Sequence, residues 1–190
     1  MPLLDHFSLL APFYERVIPL QNVDQIIRLA GLPVKGALLD AGGGTGRVAK
    51  AVRNLAGEVV VADLSMGMLR QIDAQHNLSP INSHTERLPF ANETFEAVIM
   101  VDALHHVVDH GETANELYRV LRTGGRIVIQ EPDIRTIGVK FVALAEKIAL
   151  MRSHFISPPK IASLFNFPGT TSLIERDQFN AWIIIEKGIG

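Results

Sequence analysis

Three short apolar, β-branched runs along the chain each close on an acidic residue, at 36–40, 58–63 and 126–131. Runs of this kind lack polar alternation, which is what a strand covered on both faces requires, because side chains pointing either way meet protein. A fourth run over 95–101 follows the Leu88-Pro-Phe loop, and a shorter strand is expected near 80–83. Between the runs the pattern turns helical. Helices are predicted over 47–55, 66–75 and 112–122, the last stopping at Gly124-Gly125, where glycine supplies the left-handed turn that ends helices. Strand and helix alternating at this spacing predict an α/β fold with a largely parallel sheet. Beyond residue 132 the character changes. A long apolar helix is expected over 134–151, followed by the Ser157-Pro-Pro turn and a short apolar segment. Two further runs, 170–176 and 181–186, predict an antiparallel hairpin with its turn at Asp177-Gln178. With no internal repeat, low-complexity tract or evident linker, the 190 residues are expected to form one domain.

Composition narrows the chemistry. An apolar content of 47% supports a core for this length, and a domain of this size buries on the order of 70% of its unfolded surface without a disulfide or metal. The chain has no cysteine, which excludes a disulfide framework, a thiolate zinc site and a cysteine nucleophile, including the kind that methylates carbon 5 of cytosine. The 18 basic and 20 acidic side chains leave a net charge of −2, so no global field attracts nucleic acid. No apolar run reaches the roughly 20 residues of a membrane span, and Asp5 and His6 stand where a leader peptide would be positive. The expectation is a soluble cytoplasmic protein.

The stretch Leu38-Leu-Asp40-Ala-Gly42-Gly43-Gly44-Thr45-Gly46 leaves a predicted strand, turns through glycines and enters a helix. Such a turn exposes helix-terminal N–H groups and lets a ligand approach the backbone. Two cofactor classes suit it. Gly44-Thr-Gly46-Arg-Val-Ala49 satisfies the relaxed dinucleotide pattern G-x-G-x-x-G/A, and Asp63 lies at the distance expected of a ribose-binding acid. Asp40, however, precedes the glycines where a dinucleotide places its pyrophosphate. A carboxylate repels that group and attracts a cationic amino-acid moiety. S-adenosylmethionine carries an ammonium, a sulfonium and a ribose but no phosphate, so Asp40 at the charged end and Asp63 on the ribose form a consistent pair. The bland alternative is that both aspartates cap helices. A phosphate-binding P-loop is excluded, since no Gly-Lys-Ser/Thr follows the turn.

The glycine stretch resembles motif I of the class I S-adenosylmethionine-dependent methyltransferases. The resemblance continues in order through Val61-Ala-Asp63-Leu-Ser65-Met-Gly-Met68, Glu86-Arg-Leu-Pro-Phe90, Phe95-Glu-Ala-Val98, Leu104-His-His-Val107 and Arg119-Val-Leu-Arg-Thr-Gly-Gly-Arg126. It is strongest with the methyltransferase type 11 branch that includes the ubiquinone/menaquinone-biosynthesis enzymes, whose N-terminal aromatic segment Phe7-Ser-Leu-Leu-Ala-Pro-Phe-Tyr14 also resembles. The resemblance implies a Rossmann-like, doubly wound sheet of seven strands, mostly parallel with an antiparallel last strand. It implies a helical lid over 1–35, a cofactor-binding core over 36–131, a helical substrate-side region over 132–169 and a hairpin over 170–190. It also implies S-adenosylmethionine as cofactor and S-adenosylhomocysteine as product. By motif match Asp40, Gly42 and Gly44 line the methionine moiety, Asp63 the ribose, and Leu64 and Met68 the adenine faces. Ala41 and Asp102 belong to the same cofactor set. His84 and Thr85 occupy the adenine edge. The family usually has Asp-Ala there, so a neutral His84 nitrogen or a backbone carbonyl is left to meet the adenine amino group.

The sulfonium methyl arrives activated, so the protein chiefly supplies orientation and a dry path. A base is needed only if the acceptor must lose a proton. His105 and His106 follow the fourth strand at the sheet edge where ligands bind, and His105, nearer the strand end, is the candidate base. The competing reading is that the pair belongs to the fold. His106 and His110 have i, i+4 spacing, but no third ligand is near and no glutamate fills a His-Glu-x-x-His pattern, so no metal is expected. Tyr14, His106 and Glu131 are candidates for the acceptor pocket; Tyr14 also reads as a packed aromatic and Glu131 as a helix-capping acid.

Enzymes that methylate base amines carry Asn/Asp-Pro-Pro-aromatic after the fourth strand. Here that position reads Val101-Asp-Ala-Leu-His105, and Pro158-Pro159 lies far downstream. Arg119, Arg122 and Arg126 read as helix-end charges rather than a phosphate patch. A small-molecule acceptor is therefore favoured over nucleic acid. Ile137, Phe141, Leu144, Ile148 and Met151 form one helical stripe. Val139, Val142, Leu150, Phe155, Ile156, Leu164, Phe165 and Phe167 add apolar surface beyond it, suited to an apolar or aromatic acceptor or to a dimer contact. Monomer and homodimer both remain open, and a non-catalytic sensor or partner subunit is the alternative to an enzyme.

Overall fold

The computed structural model describes residues 22–73, 77–133, 154–177 and 180–189. Its seven strands, β1 (Ala37–Ala41), β2 (Glu58–Asp63), β3 (Leu78–Asn82), β4 (Phe95–Val101), β5 (Leu121–Pro132), β6 (Thr170–Asp177) and β7 (Asn180–Lys187), form one sheet in the order β3-β2-β1-β4-β5-β7-β6. The pairs β1–β2, β1–β4, β2–β3 and β4–β5 are parallel, and β7 runs antiparallel to both neighbours. This is the largely parallel sheet expected from the strand pattern, in the doubly wound, Rossmann-like form that the family resemblance implies. The chain winds outward from β1 to β3 and then returns to β4, so the order reverses between β1 and β4. Ligands of open α/β sheets bind at the strand ends beside such a reversal.

Burial explains the unbroken apolar runs. Along β1, Leu38 packs into one core layer and Leu39 into the layer on the opposite face; Val59 and Val60 on β2, and Val128 and Ile129 on β5, divide in the same way. A polar residue at any of these positions would be buried on either face. At one sheet edge β3 carries Pro80, which offers no N–H for pairing with another strand and so blunts that edge.

The helices differ more from their expected bounds. They are α1 (Val23–Ala30), α2 (Arg47–Val52), α3 (Met66–Leu69), α4 (His110–Val120) and α5 (Pro158–Ser163), with single 3-10 turns at Arg53–Leu55 and Leu104–His106. The helix expected over 66–75 is a single turn capped by the Ser65 hydroxyl. After it, tighter bonds from Gln71 N to Met68 O and from Ile72 N to Leu69 O bring Ile72 beneath Gly46. Helix α4 starts earlier than expected, because the Asp109 carboxylate accepts from Gly111 N and Glu112 N. It also ends earlier. Leu121 is already extended and pairs with Phe95, so Gly124 and Gly125 lie inside β5. The ladder skips from Phe95–Leu121 to Ala97–Arg126, and Gly124, at φ 83°, absorbs the surplus residues.

That shift corrects the reading of Arg122 and Arg126 as helix-end charges and leaves it standing for Arg119. Arg119 is in the last turn of α4, pairs with Glu116 and donates to the carbonyls of Leu88 and Phe90. Arg122 and Arg126 lie on β5 and pair with Glu96 and Glu186 respectively. Part of the apolar surplus is likewise structural. Ile156, Leu164, Phe165 and Phe167 pack with the core layer that contains Leu39, and Phe155 stacks on His105. The expected helix over 134–151, the segment containing Tyr14 and the hairpin turn at 178 lie outside the described residues. Among the described residues no helix is long and apolar enough to cross a membrane.

Candidate functional site

A cleft of about 420 Å³ opens at the C-terminal ends of β1, β2 and β4, beside the reversal in strand order. The loop after β1 forms its floor. Gly42, Gly44 and Gly46 have φ of 68°, 56° and 72°, the left-handed region that favours glycine. A Cβ on Gly42 would stand 2.6 Å from the Ala103 Cβ, so the loops after β1 and β4 touch there; a Cβ on Gly44 would enter open space. Asp63, at the end of β2, ties two loops together: Gly44 N donates to its Oδ2 at 2.9 Å and Ser65 N to its Oδ1 at 2.7 Å.

Gly42, Gly44, Asp63, Leu64, Met68, His84, Thr85 and Asp102, all expected around a cofactor, line this cleft, and His106 joins them. Asp40 and Ala41 do not. Ala41 is a fully buried residue of β1. Asp40 sits beneath the glycine turn, its Oδ2 accepting from Ala49 N at 3.2 Å and its Oδ1 without a partner among the described residues. Burial pushes its carboxyl up to about 7; the Ala49 N–H opposes this, the Asp63 charge adds to it and Arg47 opposes it. The expectation that Asp40 faces the ligand therefore needs correction. Among the described residues the acids in the cleft wall are Asp63, Glu86 and Asp102, and no lysine or arginine lines it. That wall disfavours a pyrophosphate and suits a cationic amino-acid end.

The titration of Asp40 has a definite sign. Its unfolded carboxyl titrates near 3.8 and the folded one near 7, so the folded protein holds more protons in that window and the buried acid costs stability progressively as pH rises through it. Asp40→Asn is expected to remove this slope, so that its unfolding free energy relative to wild type is higher at about pH 8 than at about pH 5. Urea unfolding at both pH values measures the difference; a pH-independent difference overturns the assignment.

At the mouth Asp102 adopts φ 52° and pairs with Arg47 at 3.0 Å. Burial raises its carboxyl pKa, the Glu131 charge adds, and Arg47 and His105 oppose. The His84 ring is largely exposed, with Nδ1 3.9 Å from the Glu86 carboxylate. Thr85 is buried with its hydroxyl 3.5 Å from that of Thr113. Ser65, Ser83, Glu86, Met100, Ala103, Val107 and Val108 also line the cleft and were not singled out from the sequence. Glu86 had a signal, its place in Glu86-Arg-Leu-Pro-Phe90. Its Oε1 accepts from Val108 N at 2.9 Å, which draws the loop after β4 to the loop after β3.

The histidines are placed differently from expectation. His105, the candidate base, is buried and does not line the cleft. Its Nδ1 is 2.6 Å from Glu131 Oε2. Glu131 is likewise buried outside the cleft wall, and its Oε1 accepts from Ala103 N and Leu104 N, so it caps the turn Leu104–His106. His106 is the member of the pair that reaches the cleft. Burial, reinforced by the charge of His105, pushes its ring down to about 3, so it is neutral near pH 7 and a weak base. Tyr14 lies outside the described residues. Among the described residues no three His, Cys, Asp or Glu side chains converge as a metal site.

The residues present fit S-adenosylmethionine. Open space lies over Gly44, Asp63 offers acceptors beside it, Leu64 and Met68 are apolar walls, and carboxylates rather than cations surround the rest. Fold and site together define a class I S-adenosylmethionine-dependent methyltransferase domain, whose family uses S-adenosylmethionine as methyl donor. Residues 39–129 match the family model described as a methyltransferase domain. The ubiquinone/menaquinone biosynthesis C-methyltransferase UbiE of Haemophilus ducreyi is 34% identical over 104 residues, 50% of this chain and 40% of that protein. The demethylmenaquinone methyltransferase of Clavibacter sepedonicus is 35% identical over 136 residues, 66% and 56% of the two chains. The chain thus spans about half the length of these curated relatives. Among solved structures, the Haloferax volcanii partner of the Trm112 methyltransferase activator has a TM-score of 0.79 at 16% identity, covering 98% of this chain and 100% of that one. The YcgJ protein of Bacillus subtilis has a TM-score of 0.74 at 18% identity, covering 88% and 98%. At these identities the structural likeness shows the fold.

Proposed function

We propose that the protein transfers the methyl group of S-adenosylmethionine to a small, apolar or aromatic acceptor. The observation that carries this reading is the cleft at the strand reversal, where the glycine floor and the Asp63, Glu86 and Asp102 carboxylates stand beside Met100, Ala103, Val107 and Val108. When bound, S-adenosylmethionine supplies an electrophilic methyl that needs no further activation. Asp63 holds the ribose hydroxyls, Leu64 and Met68 flank the adenine, and Ser83, His84 and Thr85 meet its edge. Gly42, Gly44 and Asp102 take the amino-acid end. The apolar side chains exclude water and orient the acceptor, the main service a displacement on an activated methyl requires. The burial of His105 and the weak basicity of His106 favour positioning over proton removal. The names of the UbiE and demethylmenaquinone relatives make quinol and phenol rings the first acceptors to try.

Thermal melts with S-adenosylmethionine, S-adenosylhomocysteine and NAD test the cofactor. Both adenosyl compounds are expected to raise the melting temperature, and stabilisation by NAD alone sinks the reading. Methyl transfer from a labelled donor to a panel of quinols, phenols, amines and carboxylic acids tests the reaction. Tight donor binding without turnover on any member favours a non-catalytic sensor or partner subunit.

A further inference from the structure

Behind the cleft wall lies a buried group that the methyl-transfer reading leaves without a role. Glu131, at the end of β5, is 3% exposed and uses both oxygens: Oε1 accepts from Ala103 N at 3.1 Å and Leu104 N at 2.7 Å, and Oε2 meets His105 Nδ1 at 2.6 Å. His105 is 5% exposed, with Phe155 stacked 4.4 Å from its ring centroid and the His106 ring centroid at 3.9 Å. The His154 N–H donates to the His105 carbonyl at 2.6 Å, and the His110 ring Nε2 lies 3.1 Å from the His154 carbonyl. Of these groups only His106 joins Asp102 and Ala103 in lining the cleft.

A carboxylate buried this deeply requires a donor on each oxygen, and at 2.6 Å the His105 Nδ1–H is placed to make a charge-assisted bond to Oε2, a setting that favours the protonated ring. Two positive rings 3.9 Å apart repel strongly inside a protein, so a charged His105 excludes a charge on His106. The uncharged ring is the form compatible with a cationic ligand in the same cleft. We propose that Glu131 is a positioning residue: by holding His105 as a buried imidazolium, it reinforces the neutral state that burial gives His106 in the cleft wall. The consequence for donor binding rests on the methyl-transfer reading; the state of the rings does not. Among the described residues, the other charged or titratable groups around the pair include Asp102 at the end of β4, paired with Arg47 of α2; His110 of α4; His154; and Glu86, bonded to Val108 N.

Nuclear magnetic resonance of the histidine rings in the whole chain tests the proposal, using wild type and Glu131→Gln. Glutamine keeps an oxygen for Ala103 N and Leu104 N but presents no charge to His105. Wild type is expected to show a strongly deshielded ring N–H from His105 and no titration of His106 between about pH 5 and pH 8. In Glu131→Gln the deshielded proton disappears and the His106 titration midpoint moves upward from its wild-type position. In parallel, affinity for S-adenosylmethionine relative to uncharged-sulfur S-adenosylhomocysteine falls on the order of tenfold on acidification in the variant, while the wild-type ratio holds. If Glu131→Gln does not fold, His105→Gln, neutral but still able to donate to Glu131, must give the same upward movement of the His106 midpoint. Identical His106 titration in wild type and variant, or no deshielded proton in wild type, overturns the proposal. An invariant affinity ratio despite the expected ring titrations overturns the link to the donor. Failure of both adenosyl compounds to bind, with the ring titrations as expected, overturns the methyl-transfer reading and leaves the Glu131 assignment standing.

Discussion

Asp63→Ala is expected to weaken S-adenosylhomocysteine binding by roughly 1–3 kcal/mol, about 5–150-fold. Asp63 carries two loads in this cleft. It is the acidic end of β2 beside the open space over Gly44, and its two oxygens accept from Gly44 N and Ser65 N. Alanine removes the acceptor for a ribose and also releases two backbone donors that set the cleft floor. Isothermal calorimetry measures the loss. Asp63→Asn separates the parts, because an amide retains one oxygen to accept but no charge, and its loss is expected to fall between wild type and alanine. Unchanged affinity in Asp63→Ala takes this residue out of the cofactor site.

Trp182→Ala is expected to cost about 3–5 kcal/mol of folding stability. The indole is fully buried in the middle of β7, among Ile26, Leu29, Leu38, Ile99, Val128 and Ile184, and its Nε1 donates to Asp177 Oδ2 at 2.9 Å. Alanine leaves a cavity that close-packed neighbours fill only in part. The position matters for the site as well as the fold. Trp182 pairs with Gln130, and the adjacent Ala181 pairs with Glu131, so β7 braces the strand end beneath the cleft wall. Chemical unfolding followed by circular dichroism gives the loss, and Trp182→Phe is expected to cost less because it keeps most of the apolar volume. A loss below about 1 kcal/mol for alanine contradicts the close packing of this layer.

Much of the architecture is legible along the chain because its strands are buried on both faces. Unbroken apolar runs of three to five residues have few alternatives once their lengths and the intervening helical patterns are read together. The glycine loop is legible for a related reason: left-handed backbone at Gly42, Gly44 and Gly46 admits few other residues. Helix ends are less legible. Gly124 and Gly125 resemble a helix stop, yet they sit within β5, where they absorb a shift in the β4–β5 ladder that only strand pairing reveals. Met66 begins a helix as expected, but Ile72 is drawn under Gly46 and the helix closes after one turn.

Within the site, the order of residues showed which loops meet but not which side chains face the gap. Asp40 and His105 occupy motif positions that point to chemistry, and both are buried behind the residues that line the cleft. A one-residue step along a turn decides this: His105 points back to Glu131 while His106 joins the wall.

The sequence by itself determined the strands of a largely parallel sheet, the glycine turn and the acid at the end of β2, because local burial pattern and backbone conformation leave little choice there. Only the tertiary structure decided that Asp40 is a buried support beneath the loop with a raised carboxyl pKa, that Glu86 braces the cleft, and that Glu131 is bonded to His105. Those roles depend on which groups are removed from water together, and neither burial nor a charge's nearest partner is written in the local order of residues.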